Sequence, residues 1–131
     1  MIDLSKVYQT IWSNISKLKY DVVDYIPYDS ISYPYVQVGG LYTNDDNTKN
    51  TEGLSCELYI NVYSAYKGRK EILEIINKVN ESMNKSMSND EYSIFVRQGR
   101  HSVIQDVDRD KNNYYHAVLI YEINIEKKGM I

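Results

Sequence analysis

Apolar residues recur along this chain at two different spacings, and the changes of spacing mark its elements. Leu4, Val7, Tyr8, Ile11, Trp12, Ile15 and Leu18 step by three and four, which places them on one face of a helix. Asp3 or Ser5 can cap its start, and Trp12 reads as a core anchor on that stripe. Val22, Val23, Tyr25 and Ile26 then predict a short strand within residues 20–28. Tyr33-Pro34-Tyr35-Val36-Gln37-Val38-Gly39-Gly40 reads as a strand with proline at its start, since proline is tolerated there and rarely in a central strand. Pro34, Val36 and Val38 take one face, Tyr35 and Gln37 the other, and the strand is expected to end at Gly39-Gly40 or at Tyr42. Residues 43–53 are almost wholly polar and read as a loop that is either mobile or used in binding. The clearest strand is 55–64, where Cys56, Leu58, Ile60 and Val62 alternate with Glu57, Tyr59, Asn61 and Tyr63.

After a turn at Tyr66-Lys67-Gly68-Arg69 the spacing returns to three and four. Ile72, Ile75, Ile76, Val79, Met83 and Met87 predict a helix over about residues 69–87, with Glu71, Glu74, Lys78, Glu81 and Lys85 towards solvent. The remainder reads as three strands. Residues 92–98 and 102–107 are expected to pair across Gly99-Arg100, and 114–126 forms the last strand. The order is α-β-β-β-α-β-β-β, an α+β fold with a mostly antiparallel sheet and two helices packed on it. A single domain over residues 1–131 fits this length.

Composition changes this picture little. The chain is 43% hydrophobic and 25% charged, ordinary for a globular domain that folds without disulfides or metal. A net charge of -3 argues against general affinity for nucleic acid. Asp3 and Lys6 interrupt the opening apolar run, so no signal segment is expected there, and no apolar stretch has the length of a membrane span. The expected site of synthesis and assembly is therefore the cytoplasm, with no membrane partner. The 14 tyrosines stand against a single Phe and a single Trp. Tyrosine suits half-buried strands and interfaces, and its excess is equally what an AT-rich coding sequence would produce.

The search for chemistry yields little. His101 and His116 have no partners at metal-ligand spacing, and the single Cys56 falls on the buried face of its strand. No phosphate loop is present, because Gly39-Gly40 lacks a following lysine and helix. Asp45-Asp46-Asn47 lacks the rest of a calcium loop, and Asp106, Asp108 and Asp110 read as a charged hairpin tip. Arg97, Arg100 and His101 form the compact basic cluster of the strand region, a candidate contact for DNA phosphates or an acidic neighbour. No catalytic residues, metal site or cofactor are expected, and binding or assembly is favoured over an enzyme.

The whole chain resembles the tail completion proteins, or tail terminators, of long-tailed bacteriophages. The matching features occur in order: the N-terminal helix with its Tyr/Leu/Ile stripe, Tyr33-Pro34-Tyr35-Val36-Gln37-Val38-Gly39, and a polar loop leading into Glu52-Gly53. Asn61-Val62-Tyr63-Ser64 follows at a strand end, then Gly68-Arg69-Lys70-Glu71 at a helix start. An aspartate-rich turn then precedes Tyr115-His116-Ala117-Val118-Leu119-Ile120-Tyr121. These motifs are short and degenerate, although they span nearly the full length.

The resemblance implies a structural virion protein that caps the head-proximal end of a tail tube and ends its polymerisation. It also implies a sixfold ring of copies with a channel for DNA, found in phages and in headless phage-tail-like bacteriocins. The implied partners are further copies of the chain, the tail tube protein, and head–tail connector or collar proteins. Thr43, Asn44, Asp45, Asp46, Asn47, Lys49 and Glu52 of the polar loop are the candidate contact with the tube or a neighbouring subunit. The alternative is another connector or minor tail protein on the portal side. A small hydrolase or nucleotide-binding enzyme with an unrecognised site is the reading from a different class.

Overall fold

The computed structural model describes residues 2–27, 32–43 and 53–128. Helix α1 (Leu4–Ile15) starts at Asp3, whose carboxylate accepts from the amides of Ser5 and Lys6. The Ser5 hydroxyl also donates to it and holds the carboxyl below its usual range. Val7, Ile11 and Ile15 are buried, Tyr8 and Trp12 pack at the rim, and Leu4 is exposed. Strand β1 (Asp21–Val23) is shorter than the sequence suggests. Tyr25 and Ile26 lie outside it, 62% and 70% exposed. The cause is local: the Tyr25 carbonyl receives the Gln37 side-chain amide instead of a strand partner.

Strand β2 (Tyr35–Thr43) begins just after Pro34, whose peptide bond with Tyr33 is cis. It does not stop at the glycine pair. The register shifts between Val38 and Leu41, and the strand runs on to Thr43 through this bulge. Strand β3 (Gly53–Ser64) shows the expected alternation along its length. Helix α2 (Lys70–Met83) is one turn shorter than expected, and Met87 falls instead in strand β4 (Ser86–Ser88). Met87 still packs against the core, now opposite Ile94 across a strand pair, so its apolar character is used by either conformation.

Residues 92–98 and 102–107 do not form a hairpin with each other. They are one strand, β5 (Tyr92–Val107), paired along its length with β6 (Asn113–Lys127). A register shift between Gln98 and Arg100 leaves Gly99 as the extra residue. The bulge reverses the alternation, so even-numbered residues face the core before it and odd-numbered ones after it. That phase change makes one strand read as two.

The sheet order is β1-β2-β3-β6-β5-β4, with β1 parallel to β2 and every other pair antiparallel. The fold is α+β in the expected order of elements. Both helices lie on one face. Their stripes meet the inward residues of the sheet, from Val36 and Val38 through Leu58, Ile60 and Val62 to Ala117, Leu119, Tyr121, Ile123 and Ile125. Each fully buried branched or aromatic side chain stabilises the fold by about 1.5–3 kcal/mol. Among the described residues the buried side-chain polar atoms are paired: Ser64 Oγ donates to Glu71 Oε1 at 2.7 Å and ties the end of β3 to the first turn of α2. The Tyr121 hydroxyl donates to Asn80 on α2, and the Tyr92 hydroxyl accepts from the Asp3 amide.

Candidate functional surface

Because both helices occupy one face, most outward residues of β2, β3 and β6 stay half-exposed or exposed on the other, Ile120 being the buried exception. Cross-strand register brings aromatic rings together there. Tyr35, Tyr63 and His116 form one rung, since Tyr35 pairs with Tyr63 and Tyr63 with His116. Their rings stack, at 4.6 Å between Tyr35 and Tyr63 and 4.4 Å between Tyr63 and His116. Tyr33 packs on Tyr35 and on Tyr114, each at 5.8 Å, and Tyr114 lies 6.1 Å from Tyr63. Such pairs contribute about 0.5–1.5 kcal/mol each beyond their buried area. Tyr42 and Tyr59 make a separate edge-to-face pair at 5.1 Å. On β5, Ile104 opposite His116 and Phe95 opposite Asn124 are about half-exposed.

A polar relay crosses the same face. His116 Nε2 lies 2.9 Å from Asn61 Oδ1, so the ring nitrogen donates. Asn61 Nδ2 donates to Gln37 Oε1, and Gln37 Nε2 donates to the Tyr25 carbonyl. The chain of bonds thus runs from β6 through β3 and β2 to the segment after β1. Burial lowers the His116 pKa from its usual value, and the Asp106 carboxylate acts the other way. Burial likewise pushes the Tyr35 hydroxyl up to about 12. A neutral phenol at physiological pH serves as a contact, not a nucleophile. Cys56 lies on the opposite, buried face and its thiol is pushed up to about 11 by burial, which suppresses the thiolate. Among the described residues no group of three or more His, Cys, Asp or Glu could hold a metal ion.

The candidate residues from the sequence are placed as follows. Thr43 is the exposed last residue of β2, paired with Cys56. Asn44, Asp45, Asp46, Asn47, Lys49 and Glu52 lie outside the described residues. Arg97, Arg100 and His101 are not one cluster. Arg97 pairs with Glu122 and Arg100 with Ile120, both on the helix-free face, whereas His101 pairs with Leu119 and points to the helix side. The bulge at Gly99 causes the split. Arg97 Nε also donates to Glu122 Oε2 at 2.8 Å, an exposed ion pair of little energetic weight. His101 Nδ1 lies 3.1 Å from Gln98 Nε2 on its own side. The aspartates do form a hairpin tip, where Asp108 Oδ1 accepts from the amides of Asp110 and Asn112. The stacked Tyr33–Tyr35–Tyr63–Tyr114–His116 cluster was the surface that sequence reading missed. Its signal was the tyrosine surplus, but only cross-strand register shows which tyrosines meet.

No family model matches this chain, and no curated protein matches it in sequence. A solved structure that shares its fold is a chain in the virion of a native gene transfer agent particle. The two superpose with a TM-score of 0.67 over 92% of this chain and 91% of the other, at 16% sequence identity. At that identity the likeness is one of fold.

Proposed function

We propose that this chain is a structural component of a phage-like particle, and that it caps the head-proximal end of a tail tube as a ring. The observation that carries the first part is the shared fold with a gene transfer agent virion chain across nearly the whole length of both. The second part rests on the ordered resemblance to tail completion proteins, from the Tyr33-Pro34-Tyr35 segment to the His116 strand. On this reading the protein does no chemistry. It works through surfaces: an open sheet face of tyrosines, and the polar loop that leaves the sheet at Thr43 and returns at Gly53. Its partners are further copies, in a closed ring of six, together with the tail tube protein and a connector or collar. DNA passes through the ring without being held. Arg97 and Arg100 remain candidate contacts for phosphates or an acidic neighbour, while His101 belongs to a different surface. The protein assembles in the host cytoplasm and ends in the virion.

Deleting the gene and imaging the lysate by electron microscopy tests this. Tails of irregular or excessive length, with heads unjoined where the particle has heads, are the expected result. Tails of normal length with heads unjoined would move the protein to the portal side of the connector. Intact particles would overturn both assembly roles.

A further inference from the structure

Among the described residues the sheet is open at both edges, and the two open edges lie at the same level. Val22 pairs with Val36, Val36 with Val62, Val62 with Ala117, and Ala117 with Val103. The three inner members of this row are fully buried, whereas Val22 and Val103 at its two ends are only partly so. On the β5 side, β4 covers no more than Ser93–Phe95. Val96 and Gln98 turn their amides away from β6, to Lys85 O and Asn84 Oδ1. Carried across the Gly99 bulge, this alternation turns the backbone groups of His101, Val103 and Gln105 outward. Among the described residues none of these meets a backbone partner outside β6. The outer edge of β1 is open in the same sense.

We infer that these two edges pair with each other between copies, β5 of one chain against β1 of the next. This names the contact through which the ring proposed above closes, and it rests on that reading. Four features favour a second copy over a foreign strand. β1 and β5 run in opposite directions, so copies set side by side in one orientation pair antiparallel. Val22 and Val103 both face the helix side, so pairing continues one apolar row from chain to chain. The edges differ in charge, with exposed Asp21 and Asp24 beside β1 and Arg100 and His101 on β5. In level register Asp24 stands opposite His101, and Asp21 opposite Ile104. The outlines also match among the described residues: β1 projects at the level where β5 has no neighbour beyond β6. Such an interface is heterologous, the kind that closes into a ring. An open strand edge of this length is otherwise an aggregation hazard that proteins cover.

The test is disulfide trapping in the full chain. Asp21 and Ile104 are exposed and both on the helix-free face, and the native Cys56 is buried and silent. The double variant Asp21→Cys/Ile104→Cys should give a ladder of covalent multimers on oxidation. Each single variant should stay monomeric on a denaturing gel, and a mixture of the two singles should stop at covalent dimers. Light scattering up to about millimolar concentration, near the effective concentrations at which linked modules meet, reads assembly separately. Cross-linking of a single variant by itself would show like-with-like pairing and overturn the head-to-tail contact. Oligomers without cross-links would overturn the edge pairing and leave the ring. Monomers without cross-links would also overturn it, leaving the ring to form only on its target.

Discussion

His116 is half-buried, stacks on Tyr63 and donates to Asn61. Its folded pKa lies below 6.5, first because of burial. The folded chain therefore binds this proton less readily than the unfolded one. The resulting stability is complete above about pH 6.5, declines as pH falls from there to the folded value, and is constant below it. Melting temperature measured from about pH 7.5 to 5 should fall on the acid side, and His116→Gln should flatten that fall. An unchanged slope in the variant would place the acid sensitivity elsewhere. Gly39 supports the same relay from below. A Cβ added there would lie 2.9 Å from Asn61 Nδ2 and 3.3 Å from the Tyr59 carbonyl. Gly39→Ala should cost about 1–3 kcal/mol in denaturant unfolding, the range of an overpacked site. At Gly40 the close atoms belong to the exposed Tyr42 ring, which can swing away. Gly40→Ala should therefore cost less, and equal losses would contradict the assignment.

At the scale of elements, α2 shows how one periodicity supports two environments. Ile75 is fully buried in the stripe that meets β3 and β6, while Leu73 on the same helix is 45% exposed. Ile75→Ala should destabilise by about 2–5 kcal/mol, and Leu73→Ala by no more than about 0.5 kcal/mol. Denaturant midpoints at constant slope would check both. The helix starts and the alternation of β3 were legible because each depends on local spacing. The end of α2 was not, since Met87 suits either a further helical turn or a strand. Only pairing of Met87 with Ile94 decides between them. Strand β5 was misread for a similar reason. Its Gly99 bulge shifts the phase of alternation, and a phase shift within one strand looks like a break between two.

For the whole molecule, the loop between Thr43 and Gly53 joins two neighbouring antiparallel strands. Replacing residues 44–52 with a short glycine linker should leave the melting temperature within a few degrees, because loop closure depends weakly on length. Tail attachment should drop if the loop contacts the tube. Attachment unchanged from the parent, scored by electron microscopy of particles, would remove the loop from the interface. A large loss of stability would instead show that the loop supports the sheet.

The sequence by itself determined the α+β class, the order of elements, and which face of each helix and of β3 is apolar. Those follow from periodicities of two and three-to-four residues, which are local and survive without knowledge of partners. Only the tertiary structure decided the neighbours: which tyrosines stack, that Arg97 and Arg100 share a face that His101 leaves, and that among the described residues both sheet edges are open at one level. Those facts depend on cross-strand register, and a single inserted residue such as Gly99 reverses the face of every residue beyond it.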